Sequence, residues 1–65
     1  MIGVIKEGIN ANVYSEPNAD AIVLCVIPSD TLVEVDLRQD LGKFCVVYTS
    51  MGIKGFCMKK NIVVK

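Results

Sequence analysis

The side chains able to do chemistry are few, and their spacing excludes more than it offers. The 65-residue chain contains no histidine. That removes Cys–His nucleophilic catalysis and the commonest metal ligand. The three cysteines, Cys25, Cys45 and Cys57, do not fall at C-x-x-C or a similar metal-binding spacing. Each lies in an apolar stretch, where a thiol behaves as a small hydrophobe, so all three are expected to be buried and structural. Their odd number leaves at least one unpaired, and a disulfide between the others would need an oxidising compartment. Glu34 and Asp36 alternate with Val33 and Val35, so they share the solvent face of a strand and imply no cleft. The glycines are scattered and form no phosphate-cradling loop. The chain therefore reads as non-enzymatic, with no cofactor and no metal site.

Charge narrows the partners. Formal net charge is zero, yet residues 1–42 hold all seven acids with only Lys6 and Arg38, a net −5, while residues 43–65 hold five lysines and no acid, a net +5. Nucleic-acid binders usually show net basicity and a clustered basic face, so no nucleic acid is expected. The split allows self-association through opposite patches, and Lys59 and Lys60 form a weak candidate for an anion, although solvated lysines are their plain role. The longest apolar run, residues 21–28, is far too short to span a membrane. The first residues show no signal-peptide pattern. The expected setting is intracellular or virion-associated, or a domain cut from a secreted wall-associated protein.

The elements that must position these residues are short strands. No long stretch repeats with the helical period, and β-branched residues are plentiful. Strand candidates cover residues 1–6, 9–14, 21–27, 32–37, 44–49, 53–58 and 62–64. Turn chemistry separates them: the Ser15, Pro17, Asn18 and Asp20 loop, the Pro28 to Thr31 turn, and the Met51-Gly52 hairpin turn. Residues 38–42 read as a polar loop, residues 59–61 as a short 3₁₀ turn, and residues 21–27, apolar on both sides, as a strand with one face in the core and the other partly covered. Sixty-five residues make one domain, residues 1–65. Five or six short antiparallel strands joined by tight turns suit a closed or nearly closed all-β barrel.

Ile9-Asn10-Ala11-Asn12-Val13-Tyr14-Ser15-Glu16-Pro17, residues 23–35 with Ile27, Pro28, Thr31, Val33 and Val35, and residues 44–62 with Gly52-Ile53-Lys54-Gly55-Phe56-Cys57 together resemble the bacterial SH3-like domain found on bacterial and phage cell-wall hydrolases. In residues 9–17, Asn12, Val13, Ser15 and Pro17 are similar to the L-N-V-R-S-G-P signature. In residues 23–35, Ile27, Pro28, Thr31, Val33 and Val35 are in register with V-I-G-T-L-P-K-G-T-x-V-x-V. In residues 44–62, Phe44 takes the place of the usual Trp, and Gly52-Ile53-Lys54-Gly55-Phe56-Cys57 is similar to G-K-x-G-W-V. The departures are Tyr14 for Arg, Glu16 for Gly, and phenylalanine at both Trp positions. They keep size and apolarity where the fold needs them but alter the groups that would line a ligand groove.

The resemblance implies a small SH3-like barrel that recognises a peptide or peptidoglycan ligand in an aromatic-lined groove. Tyr14, Phe44 and Phe56 are the expected lining, with Met58 and Asn61 along its border. Each has a plainer role: the phenylalanines as core, Tyr14 as a cover over it, Met58 and Asn61 as hairpin-end residues. Asn12 is expected to be buried and to hold the first loop through backbone hydrogen bonds. Asp36, Arg38 and Asp40 are placed on the loop opposite the first. The alternative function is a structural or protein-interaction module, such as a phage or intracellular adaptor.

Overall fold

Alternation of apolar and polar residues decides which side of each strand is buried, and seven strands result. The computed structural model describes residues 1–65. The strands are β1 (Ile2–Ile5), β2 (Ala11–Tyr14), β3 (Val23–Ile27), β4 (Leu32–Leu41), β5 (Phe44–Tyr48), β6 (Lys54–Met58) and β7 (Ile62–Val64), with a single 3₁₀ turn, Lys59–Asn61, before β7. They form one sheet in the order β3-β2-β6-β5-β4-β1-β7, and every neighbouring pair is antiparallel. The edges β3 and β7 do not pair with each other, so hydrogen bonding leaves the sheet open.

The sheet nevertheless wraps one core. Ile5, Ala11, Val13, Ile27, Val33, Val35, Cys45, Val47, Cys57 and Ile62 form a single buried cluster to which all seven strands contribute. A flat sheet cannot bring its first and last strands to one cluster. The nearly equal extents of 24 × 22 × 21 Å show how strongly this one is coiled. Inside and outside alternate at the start of β4, where buried Val33 and Val35 alternate with exposed Leu32 and Glu34 and half-buried Asp36.

Two glycines permit the tightest geometry. Gly52 holds φ at 81° in the β5–β6 turn, a conformation that side chains rarely adopt. Gly55 lies where β6 passes under β2. A Cβ there would collide with Cγ1 of Val13 and stand 2.9 Å from the carbonyl oxygen of Tyr14.

The structure corrects several sequence expectations. There are seven strands, not five or six: each of the seven candidate segments forms a strand, and none is left as a loop. Residues 38–41 are not a loop: β4 runs through them to Leu41, and only a short turn at Gly42 and Lys43 precedes β5. This arm is exposed on both sides, so no apolar alternation betrays it, and its register shifts between Asp36 and Leu41. Strand β3 starts at Val23 and bulges at Leu24 against β2, with Val23, Leu24 and Val26 about half exposed. Cys25 is only half buried, whereas Cys45 and Cys57 are buried.

Gly55→Ala is expected to lower stability by at least about 2 kcal/mol, since the obstructing carbonyl is backbone and cannot rotate aside. Val47→Ala, at a fully buried site, should cost about 2 kcal/mol through lost methyls and the cavity left behind. Urea denaturation with circular dichroism measures both. A Gly55→Ala midpoint equal to wild type contradicts the close approach of β2 and β6.

Candidate functional site

The outward face of the sheet is built from the residues that alternate with the core. Cross-strand register carries one row of directly opposed residues over four strands: Asp36 on β4, Val46 on β5, Phe56 on β6 and Tyr14 on β2. A neighbouring pair places Phe44 opposite Met58. A third row sets Glu34, Tyr48 and Lys54 side by side, so that acid and base flank a ring. Residues in such rows stand about 5 Å apart, close enough for side chains to touch.

Phe44 and Val46 are 7% and 2% exposed although they do not belong to the core cluster. They form a second, small apolar layer on the outside of the sheet. The Tyr14 ring meets Phe44 edge-on, with centroids 5.8 Å apart and planes at 80°. This geometry brings the positive ring edge to the negative ring face. Asn12 donates from Nδ2 to the Tyr14 hydroxyl at 3.3 Å. Asn12 is therefore exposed and steadies the tyrosine. It is not the buried loop anchor expected from sequence, because outward-facing positions of β2 alternate with buried Ala11 and Val13.

Tyr14, Phe44, Phe56 and Met58 thus come together on one face. The Asn61 carbonyl accepts the Lys6 N–H at 3.0 Å, tying the 3₁₀ turn to the end of β1, and its side chain makes no hydrogen bond to the aromatic group. The face is also a flush patch and not a furrow. None of the molecule's five surface concavities is lined by Tyr14, Phe44 or Phe56.

Concavities flank the patch on two sides. One, of about 540 Å³, is lined by Met1, Glu34, Val35, Asp36, Leu37, Arg38 and Tyr48. Arg38 donates to Asp36 through Nε at 3.0 Å and Nη2 at 2.7 Å, and its backbone N–H donates to the same carboxylate at 2.9 Å. These bonds hold the Asp36 carboxyl well below the usual carboxylate range. The other, of about 450 Å³, is lined by Lys43, Met58, Lys59 and Lys60. No lysine of the chain lies in an ion pair, since the two ion pairs present join the N-terminus to Glu34 and Arg38 to Asp36. A ligand crossing the face would meet a charge-paired acid at one end and free ammonium groups at the other.

Sequence reasoning missed Val46 and Tyr48 on this face. The signal was present: counting by twos from Phe44 along β5 reaches both Val46 and Tyr48. Asp36 was legible as outward-facing, but its neighbours across β5 depend on register.

No three acids or cysteines gather in a way that could hold a metal ion. Cys45 and Cys57 oppose each other on β5 and β6, and the Cys45 thiol donates to the Cys57 carbonyl at 3.6 Å. No family model matches the chain, and no curated protein matches it closely enough to count as a relative.

Burial pushes the Cys57 thiol up to about 11 and also raises Cys45. An acid raised on folding keeps its proton longer in the folded state. Its stabilising contribution is complete below the unfolded value of about 8.5 and is lost as pH rises towards 11. The urea midpoint should fall between pH 9 and 11, and the fall should be shallower in Cys57→Ala; an unchanged slope in that variant contradicts the assignment. At pH 8 a thiol reagent should modify Cys25 quickly and the other two only after unfolding.

Proposed function

We propose that the chain is a non-catalytic binding module with a small SH3-like barrel fold, and that it takes a peptide ligand, such as a cell-wall stem or bridge peptide, on its aromatic face. The resemblance of residues 9–17, 23–35 and 44–62 to bacterial SH3-like domains supports this reading. So does a coiled antiparallel sheet wrapped round one core.

One observation carries the site: on the outward face, which holds all four aromatic side chains of the chain, Tyr14, Phe44 and Phe56 gather, with Tyr14 and Phe56 directly opposed and Tyr14 edge-on to Phe44. Rigid aromatic side chains supply contact area at low entropic cost. Phe44 is the buried support, while Tyr14, Phe56 and Met58 remain partly exposed and form the contact surface. With no cleft between the rings, the ligand lies across the patch in an extended form. The Asp36–Arg38 pair and the Lys43, Lys59 and Lys60 group flank it and fix its polarity.

The test is a titration of isotope-labelled protein with soluble peptidoglycan fragments, followed by amide chemical shifts. Shifts should concentrate at Tyr14, Phe56 and Met58. Tyr14→Ala and Phe56→Ala should each weaken binding by about tenfold or more while retaining the β-type circular dichroism spectrum. Absence of shifts at these residues, together with no retention of wild type on purified cell walls, contradicts the reading.

A further inference from the structure

The outward residues of β5 run from Phe44 through Val46 to Tyr48, and the two ends of that row differ in charge. At the Tyr48 end, acids and bases are matched. Glu34 and Lys54 flank Tyr48 in one register row, and Arg38 is paired with Asp36. At the Phe44 end lies the concavity of about 450 Å³ lined by Lys43, Met58, Lys59 and Lys60. No acid lines it, and none of its three lysines lies in an ion pair. The acid closest in sequence, Asp40, accepts the Gly42 N–H at 3.2 Å. The backbone frame of the cavity is fixed, because the Lys59 N–H donates to the Lys43 carbonyl at 2.8 Å and closes the open end of the β5–β6 ladder. The cavity is also continuous with the aromatic patch. Met58 lines it and is the register partner of Phe44, which the Tyr14 ring meets edge-on.

We propose that this cavity takes a carboxylate of the peptide ligand, so that the peptide lies along β5 with its acidic end beside Phe44. The inference rests on the peptide reading above and names the group that orients the ligand. Ammonium groups without a counter-charge attract an anion, and charge-assisted hydrogen bonds hold it. Carboxylates are the anionic groups of a peptide near neutral pH. Between the ammonium groups, Met58 and the lysine stems offer apolar surface to the carbon atoms that carry the carboxylate.

The opposite end limits what else fits. A run of phosphates continued along β5 would reach Glu34 and Asp36 in the concavity beside Tyr48, where like charge repels it. One acidic end is matched by this face, and a polyanion is not. The length follows from strand geometry. Phe44 and Tyr48 are the first and last residues of β5, a separation of about 13 Å at the usual rise, so an extended segment of about four residues spans the face.

The test uses a synthetic stem tetrapeptide, L-Ala-D-γ-Glu-L-Lys-D-Ala, titrated into isotope-labelled protein with both carboxylates free, with either one amidated, and with both amidated. The free acid should shift the amides of Lys43, Lys59 and Lys60 together with those of Tyr14, Phe56 and Met58. It should bind about fivefold more tightly than the doubly amidated form. The singly amidated forms tell the C-terminal carboxylate from that of the glutamate, since only loss of the one that enters the cavity weakens binding. Lys43→Gln combined with Lys60→Gln, both at exposed positions, should keep the circular dichroism spectrum and bind the free and doubly amidated forms equally. Equal affinity of wild type for those two forms, with shifts at Tyr14, Phe56 and Met58, overturns this inference and leaves the aromatic site standing. So does a preference for the free acid that survives in the lysine variant. Absence of shifts at the aromatic residues with every form overturns both readings.

Discussion

The structure turns on the narrow junction between β2 and β6. One register pair, Tyr14 opposite Phe56, joins the β2–β3 hairpin to the β4–β5–β6 meander. The absence of a side chain at Gly55 lets the two backbones come that close, with Val13 filling the space from the β2 side. Both faces of the sheet depend on this contact. On the inside it places Ala11 and Val13 in the core cluster with Cys45, Val47 and Cys57. On the outside it sets the Tyr14 ring against Phe44. The junction that completes the core is therefore also the one that assembles the aromatic face. In a domain of this size, whose total stability is on the order of 3–10 kcal/mol, few other contacts share both tasks.

The strands were legible in the sequence where one face is buried and turn residues are specific. Val33 and Val35 between Leu32, Glu34 and Asp36 announce a half-buried strand, and Met51-Gly52 announces the hairpin that follows β5. Legibility failed where neither face is buried. The far end of β4 is solvated on both sides, so its polar residues look like a loop although they are extended. At β3, apolar residues on both faces gave no parity signal, and the bulge at Leu24 depends on pairing with β2. Tyr14, Phe44 and Phe56 could be chosen from sequence by residue type and strand parity. Their contact could not, because it rests on a register between strands distant in the chain. The bond from the Lys6 N–H to the Asn61 carbonyl, which ties the 3₁₀ turn to β1, was likewise not legible, because it joins residues far apart in the chain.

Charge is arranged around this frame without building it. The core cluster contains no charged residue, and neither ion pair is buried. The acid-rich first part of the chain supplies Glu34 and Asp36 to one flank of the aromatic face, while the lysine-rich last part supplies Lys43, Lys59 and Lys60 to the other. Exposed pairs of this kind contribute little to stability, and their effect lies in orienting what approaches. The apolar edge of β3, by contrast, carries no charge at all. The molecule thus offers two surfaces of different character: a flat aromatic one bounded by opposite charges, and an uncharged one along the bulged strand β3.

The most direct test of the central claim, that the β2–β6 junction assembles an aromatic face, is a nuclear Overhauser spectrum of the protein in solution. With the Tyr14 and Phe44 ring centroids 5.8 Å apart and edge-on, the account predicts cross-peaks between their ring protons, and between the Cα protons or amides of Tyr14 and Phe56. Absence of both sets in a folded sample would show that the hairpin and the meander do not meet as described, and the account would fail.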